Sequence, residues 1–429
     1  MKKVRGLRWW IIGLIGFATV INYIDRNALA VMWPDISRDV NLTKDQYATI
    51  ISAFMVAYAL GQGLSGRLFD WVGTRIGFVI TTMTWSIACA MHGLARSLTG
   101  FSAVRALLGL SEAGNWPGAT KSSAEWFPIQ ERAFAQGIFN AGASLGAVLS
   151  APLVAFLYLL VGWQATFLVV AGLGLLWIIP WVVVNRAMPH DHPWLSEAER
   201  RHIQSDEGSP ARGANGASSS ADRALGWREL LHYRQSWAVI ASRFFIDPIW
   251  WLFVNWLPIY LAEQFAFDIK QIGLFAWVPY AGAAAGSLFG GWWSGHMIGR
   301  GWSVNRARKW AITMGAVIMF PMLIAAAFAS APLTAVLLIA LLLFGFQIVI
   351  NNIQTLASDF FSGRSVGTLA GLGGTSAVAG TLISIWMVPA LTRVSYVPFF
   401  VLGASLVPLG VLMVFLFAGT IRRVPLEEK

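Results

Sequence analysis

Apolar stretches of about 18 residues or more, the length a helix needs to cross bilayer hydrocarbon, recur from one end of this chain to the other. In hydrocarbon a backbone must satisfy its own hydrogen bonds, so stretches of this length are helices. The short alternating segments of a transmembrane barrel are absent. Only 12% of the 429 residues are charged, against about 25% in a soluble domain. That leaves too little polar surface to cover several water-facing cores. The fold class is all-α integral membrane.

Twelve spans are predicted, at 9–33, 47–68, 76–95, 99–118, 133–158, 164–185, 236–262, 272–297, 309–330, 333–357, 366–391 and 396–418. With both termini in the cytoplasm, 23 of the 31 Lys and Arg fall on the cytoplasmic side. Such an excess sets orientation, and the expected location is the bacterial inner (plasma) membrane, crossed many times. The net charge of +10 is scattered over short loops, with no basic stripe interleaved with aromatics. The bilayer is therefore the expected partner, and nucleic acid is not. Lys2, Lys3, Arg5 and Arg8 ahead of an apolar run, with Ala28-Leu29-Ala30 beyond it, imitate a secretory leader. Asp25 and Arg26 within that run, and the many spans after it, identify an uncleaved first helix instead.

The polar stretch 186–235 divides the spans six and six. It implies an N-terminal bundle over 1–185, a cytoplasmic linker over 186–235 and a C-terminal bundle over 236–429. Ser196-Glu-Ala-Glu199 reads as a capping box opening a short helix through Ile203. The following Gly/Ser/Ala-rich stretch, 207–220, reads as a flexible linker. Duplicated carriers of this layout bind substrate between the halves near the midplane. A weak repeat supports duplication: Gly66-Arg-Leu-Phe-Asp70 follows span 2, and Gly290-Gly-Trp-Trp-Ser294 holds the matching place in span 8.

Three arginines (Arg26, Arg105, Arg243) and three acids (Asp25, Glu112, Asp247) lie inside predicted spans, away from their ends. A charge at mid-membrane costs about 2.5–3.5 kcal/mol even on insertion scales, so each needs a partner or a job. Arg105 and Glu112, seven residues apart, share one helix face two turns from each other. Arg243 and Asp247 pair at i,i+4, as a structural pair or a second anion contact. Asp25 and Arg26 point apart by about 100° and contact different neighbours. Protonating Asp25 or Glu112 would leave an arginine without its partner. A substrate carboxylate could then take that place on Arg26 or Arg105 through a bidentate contact.

Further substrate-binding candidates follow from spacing. They are Tyr23, and Tyr58 with Gln62 at i,i+4 on span 2. Gln347, Asn351, Gln354 and Ser358 share one face of span 10, to hydrogen-bond sugar hydroxyls or a neighbouring helix. Trp277 and Tyr280 stack on substrate or pack. Asn255 before Trp256-Leu-Pro258 marks a place for a broken helix. Cys89, the single cysteine, excludes a disulfide or thiolate cluster. His190-Asp-His192 has no third ligand nearby, and no Walker loop, dinucleotide turn or nucleophile elbow stands in a suitable context. No metal, cofactor or catalytic residue is expected, and the chain does not read as an enzyme.

Gly66-Arg-Leu-Phe-Asp70-Trp-Val-Gly73-Thr-Arg75 resembles the loop motif of the major facilitator family. The resemblance implies that Gly66, Asp70, Gly73 and Arg75 lock an inner gate by capping and charge pairing. Asn22-Tyr23-Ile-Asp25-Arg26, Arg105-x6-Glu112, Trp126-Phe-Pro and Glu131-Arg132-Ala resemble the anion:cation symporter branch. Lys3-x-x-Gly6-Leu-Arg-Trp9, Gly73-Thr-Arg-Ile-Gly77, Ser123-Ala-Glu-Trp-Phe-Pro128 and Leu274-Phe-Ala-Trp277-x-Pro279 are similar to its hexuronate carriers. This implies two pseudo-symmetric six-helix bundles, Asp25 and Glu112 as the proton-coupling pair, and Arg26 as a substrate holder. It also implies a functional monomer that imports a hexuronate such as galacturonate or glucuronate by proton symport with alternating access. The alternatives are a symporter of another organic anion (aldonate, aldarate or aromatic acid) and a non-transporting nutrient sensor of the same fold.

Overall fold

The computed structural model describes residues 3–204, 225–267, 271, 275, 277–361, 365–393 and 395–425. Every regular element among them is a helix. Among the described residues, eight stretches are long and apolar enough to cross a membrane. After α1 (Leu7–Asp39) come α2 (Lys44–His92) and, later, α5 (Ile129–Val184), of 49 and 56 residues. Each joins two helices across a kink, at Gly73 (φ 80°) and Gly162 (φ 75°). A side chain is strained at such a φ and glycine is not, which is why the kinks fall there. Both lie in the gaps expected between spans 2 and 3 and between spans 5 and 6.

The span expected at 99–118 is instead two helices, α3 (Leu98–Glu112) and α4 (Asn115–Trp126). Pro117 has no N–H to give the carbonyl of Ala113, so the ladder loses a rung. It resumes where Gly118 N donates to Gly114 O (3.0 Å). The interruption therefore falls immediately after Glu112.

The linker contributes α6 (Glu197–Ile203) and α7 (Trp227–His232), followed by α8 (Arg234–Phe265), α9 (Trp277–Gly299), α10 (Val304–Ala327), α11 (Pro332–Phe360), α12 (Val366–Leu391) and α13 (Val397–Ala418). The expected flexible stretch 207–220, Leu274 and Ala276, and the side chain of Asn255 lie outside the described residues. At 255–258, where a break is expected, α8 continues as helix, packed by α12 and α13. Buried apolar side chains form two clusters, one drawn from residues 7–203 with Val378, the other from 225–421. The N-terminal helices meet the C-terminal ones chiefly where α5 lies on α9 and α2 on α12.

Ser196 caps α6 as expected, accepting from Glu199 N (3.2 Å). Glu199 does not complete the box. Its carboxylate accepts from the backbone N–H groups of Gly6, Leu7 and Arg8 (3.0–3.3 Å) and from Arg8 Nη1 (2.9 Å). An acid at a helix N-terminus satisfies orphan donors and the macrodipole together, so the linker helix is stapled to the start of α1. His192 serves the same loop: Nε2 lies 3.0 Å from Val184 O, and Nδ1 accepts from Trp194 N. Burial holds its imidazole below the ordinary value, and with both nitrogens engaged it offers no metal ligand.

A fully buried ion pair secures the C-terminal helices. Arg308 Nε donates to Asp359 Oδ2 (2.8 Å), and its other nitrogens reach Ser294 Oγ and Ile129 O. Removing one member of such a pair strands the other charge, at about 3–5 kcal/mol. Arg308→Gln is therefore expected to lower thermal stability in detergent steeply, and a change near zero would contradict this reading.

Candidate functional site

Between the two sets of helices lies a cavity of about 50 Å³, room for a few waters. Its wall includes five of the expected substrate-binding residues: Tyr23, Tyr58, Gln62, Gln347 and Gln354. Arg243 and Asp247 also line it, as do Trp116, Asn140, Trp250 and Trp251, which spacing alone did not single out. Gln62 Oε1 and Gln347 Oε1 are buried acceptors with no hydrogen-bond partner among the described residues. Both belong to residues of the wall, where hydroxyl donors could meet them.

The charges beside the cavity are not paired one for one. Arg26 uses Nε and Nη2, each 3.0 Å from Glu112 Oε2, and Nη2 also lies 3.2 Å from Asn22 Oδ1. Its guanidinium carbon sits 4.9–5.6 Å from the rings of Tyr23, Phe54, Tyr58 and Trp251. Aromatic faces at that distance attract a cation, so the cage holds Arg26 in place; Tyr23, Tyr58 and Trp251 of the cage line the cavity, while Arg26 and Arg105 are not in its wall. Arg26 Nη1 and Glu112 Oε1 have no partner among the described residues. Arg105 donates from Nη2 to the Arg26 carbonyl (2.7 Å), leaving Nε and Nη1 without partners among the described residues. Asp25 is fully buried, and no hydrogen bond to either of its oxygens closes among the described residues. Arg243 and Asp247 form the expected i,i+4 pair in bidentate form (2.9 and 3.3 Å).

Asn351 stands one layer behind the wall. It donates to Ser287 O (2.7 Å) and accepts from Asn140 Nδ2 (2.6 Å), which also reaches Gln354 Oε1 (2.8 Å). Asn140, on α5, thus joins the two sets of helices through α11. The signal for it was present: an amide, four residues after Gln136, in an apolar span. Ser358 Oγ turns back to Thr355 O. Trp277 is half exposed and outside the cavity wall. Tyr280 packs edge-on to Trp250.

Towards the linker the two sets close on each other. Asp70, from α2, accepts from Lys121 Nζ (2.7 Å), Gly367 N (3.1 Å), Thr368 N (2.6 Å) and Thr368 Oγ1 (2.6 Å). It caps the start of α12 across the interface, with its charge balanced by Lys121. A Cβ added at Gly66 would run into the Gly367 carbonyl, so the approach needs glycine there. Arg75 takes no part in this contact. Beyond the turn at Gly73 it reaches Arg186 O (3.1 Å), and its own carbonyl accepts from Trp181 Nε1.

The sequence profile of the Major Facilitator Superfamily matches residues 15–385. The chain belongs to that superfamily. It is 32% identical over 418 residues to the hexuronate transporter of Escherichia coli (strain K12), across 97% of this chain and 95% of that protein. It is 34% identical over 321 residues to the galacturonate transporter of Dickeya chrysanthemi, across 74% and 91%. In fold it is similar to the human organic anion transporter MFSD10, with a TM-score of 0.67, 17% identity, and coverage of 96% and 99%. The resemblance to hexuronate carriers expected from the motifs is thus met in its relatives, and the superfamily consists of transporters, not enzymes.

The glycine contact offers a direct test of the closed linker end. With Asn140→Cys as a reporter, Gly66→Val should raise thiol labelling from the linker side severalfold. Unchanged labelling would contradict a seal made at Gly66.

Proposed function

We propose that this transporter imports a sugar-acid monoanion, a hexuronate first, together with protons. Its two sets of helices would rock about the central cavity, with the linker end and both termini in the cytoplasm of a bacterial inner membrane and one chain as the working unit. The observation that carries the reading is Arg26. It is caged by aromatics, held by one oxygen of Glu112, and keeps Nη1 for an incoming carboxylate. A bidentate anion suits that planar fork better than it would suit a lysine. Protonation of Glu112 would release the arginine, and Asp25, fully buried beside it, would be the second place for a proton. The hexuronate and galacturonate transport named for its relatives supports the substrate class.

The state of Arg243 favours a monoanion over an aldarate. Its fork is already filled by Asp247, so a second carboxylate would have to displace that acid. A thermal-shift screen against galacturonate, glucuronate, galactonate, glucarate and simple aromatic acids tests both points. Hexuronates should stabilise the protein most and glucarate least among the sugar acids, and Asp247→Asn should narrow that gap. No stabilisation by any sugar acid would overturn the substrate class, and glucarate matching galacturonate would overturn the role of Asp247.

A further inference from the structure

Away from the central cavity, α10 and α13 enclose a second feature. An apolar groove of about 610 Å³ runs between them, lined by Val317, Phe320, Pro321, Pro408 and Leu412 among others. A proline in mid-helix removes a backbone hydrogen bond and bends the helix. Pro321 and Pro408 face the same groove from opposite sides, which leaves an opening where straight helices would close. Thr313 and Phe415 belong both to this groove and to a second hollow of about 570 Å³ nearer the linker end. That second hollow is of different character: its walls are Trp302, Asn305, Arg306, Lys309, Trp310 and Phe415.

The two cations at this mouth are not used in ion pairs among the described residues. Arg306 lies flat against Trp302 (4.1 Å to the ring centroid), and Lys309 lies 5.4 Å from the Phe415 ring while donating one hydrogen to Gly419 O (2.6 Å). The ammonium keeps two donors, and the stacked guanidinium keeps its edge. Buried Arg308, by contrast, is committed to Asp359. Along α10 the stretch from Lys309 to Pro321 rises about 18 Å at 1.5 Å per residue. That is close to one leaflet of a hydrocarbon layer about 30 Å thick, plus a headgroup.

We infer that this groove is a binding site for an anionic glycerophospholipid of the leaflet at the linker end. Arg306 and Lys309 hold the phosphate, Trp302 and Trp310 flank the glycerol region, and the slot opened by Pro321 and Pro408 takes an acyl chain. Charge selects the ligand: a zwitterionic lipid fills the slot equally well but brings no net charge to two unpaired cations. The inference is independent of the transported substrate.

Native mass spectrometry of the full chain in detergent tests it, with phosphatidylglycerol, phosphatidylcholine and glycerol phosphate as probes. The protein should retain phosphatidylglycerol in preference to phosphatidylcholine, and glycerol phosphate should not displace it. R306Q/K309Q should erase the preference, by at least about fivefold, the effect of one surface cation. Arg300→Gln, a cation at the same end but outside the groove, should keep it. Val317→Trp, which fills the slot and leaves both cations, should also lower retention. The site is refuted by equal retention of the two lipids, by a preference that survives R306Q/K309Q, by undiminished retention in Val317→Trp, or by equal loss in Arg300→Gln. Displacement by glycerol phosphate would show a phosphate site and not a lipid one.

Discussion

A charge inside hydrocarbon needs a partner, and this protein is organised around how its few buried charges find theirs. Lys121 and Asp70 meet at 2.7 Å and Arg308 and Asp359 at 2.8 Å, all nearly or fully buried. Both pairs are further anchored by hydroxyl or backbone groups, the condition under which a buried pair holds together. Arg243 and Asp247 satisfy each other within one helix. The exception is the group beside the central cavity, where Arg26, Arg105, Asp25 and Glu112 share one ion pair and leave donors and acceptors open. Two arginines and two acids share one ion pair there, whereas the other three buried pairs match charge for charge, and this makes the group the proposed working centre.

The same residues tie the centre to the moving interface. Arg26 belongs to α1, yet its cage includes Trp251 of α8. Asn140 of α5 is bonded to Asn351 and Gln354 of α11 at the cavity wall. Closer to the linker, glycine and serine faces let α5 and α9 touch backbone to backbone, with Ser287 Oγ on Gly137 O (3.0 Å). Small residues are how helices approach closely in lipid, where no hydrophobic drive brings them together. In the proposed cycle, substrate replacing Glu112 on Arg26 would be felt directly by α8, and the Asp70 cap on α12 would have to break for the linker end to open.

Much of this was legible in the residues, because hydropathy and charge act locally. The long apolar helices, the breaks between spans 2 and 3 and between spans 5 and 6, the short helix after Ser196 and the Arg243–Asp247 pair all follow from hydropathy and spacing. What spacing could not reveal is long-range choice. Glu112 pairs with Arg26 of another helix rather than with Arg105 two turns below it. Glu199 leaves its own capping box for the start of α1, since three orphan N–H groups and Arg8 outbid one. The break after Glu112 needed Pro117 to be read as a missing donor. Trp250 and Trp251 reach the cavity wall with no periodic signal to separate them from the other tryptophans.

In the proposed cycle a proton on Glu112 frees Arg26 for the substrate carboxylate. Glu112→Gln fixes that position in a neutral form and leaves its shape. In proteoliposomes loaded with galacturonate, this variant should still exchange external for internal substrate but should no longer accumulate it when a pH gradient is imposed. Uphill accumulation at the level of the unmodified protein would contradict the account.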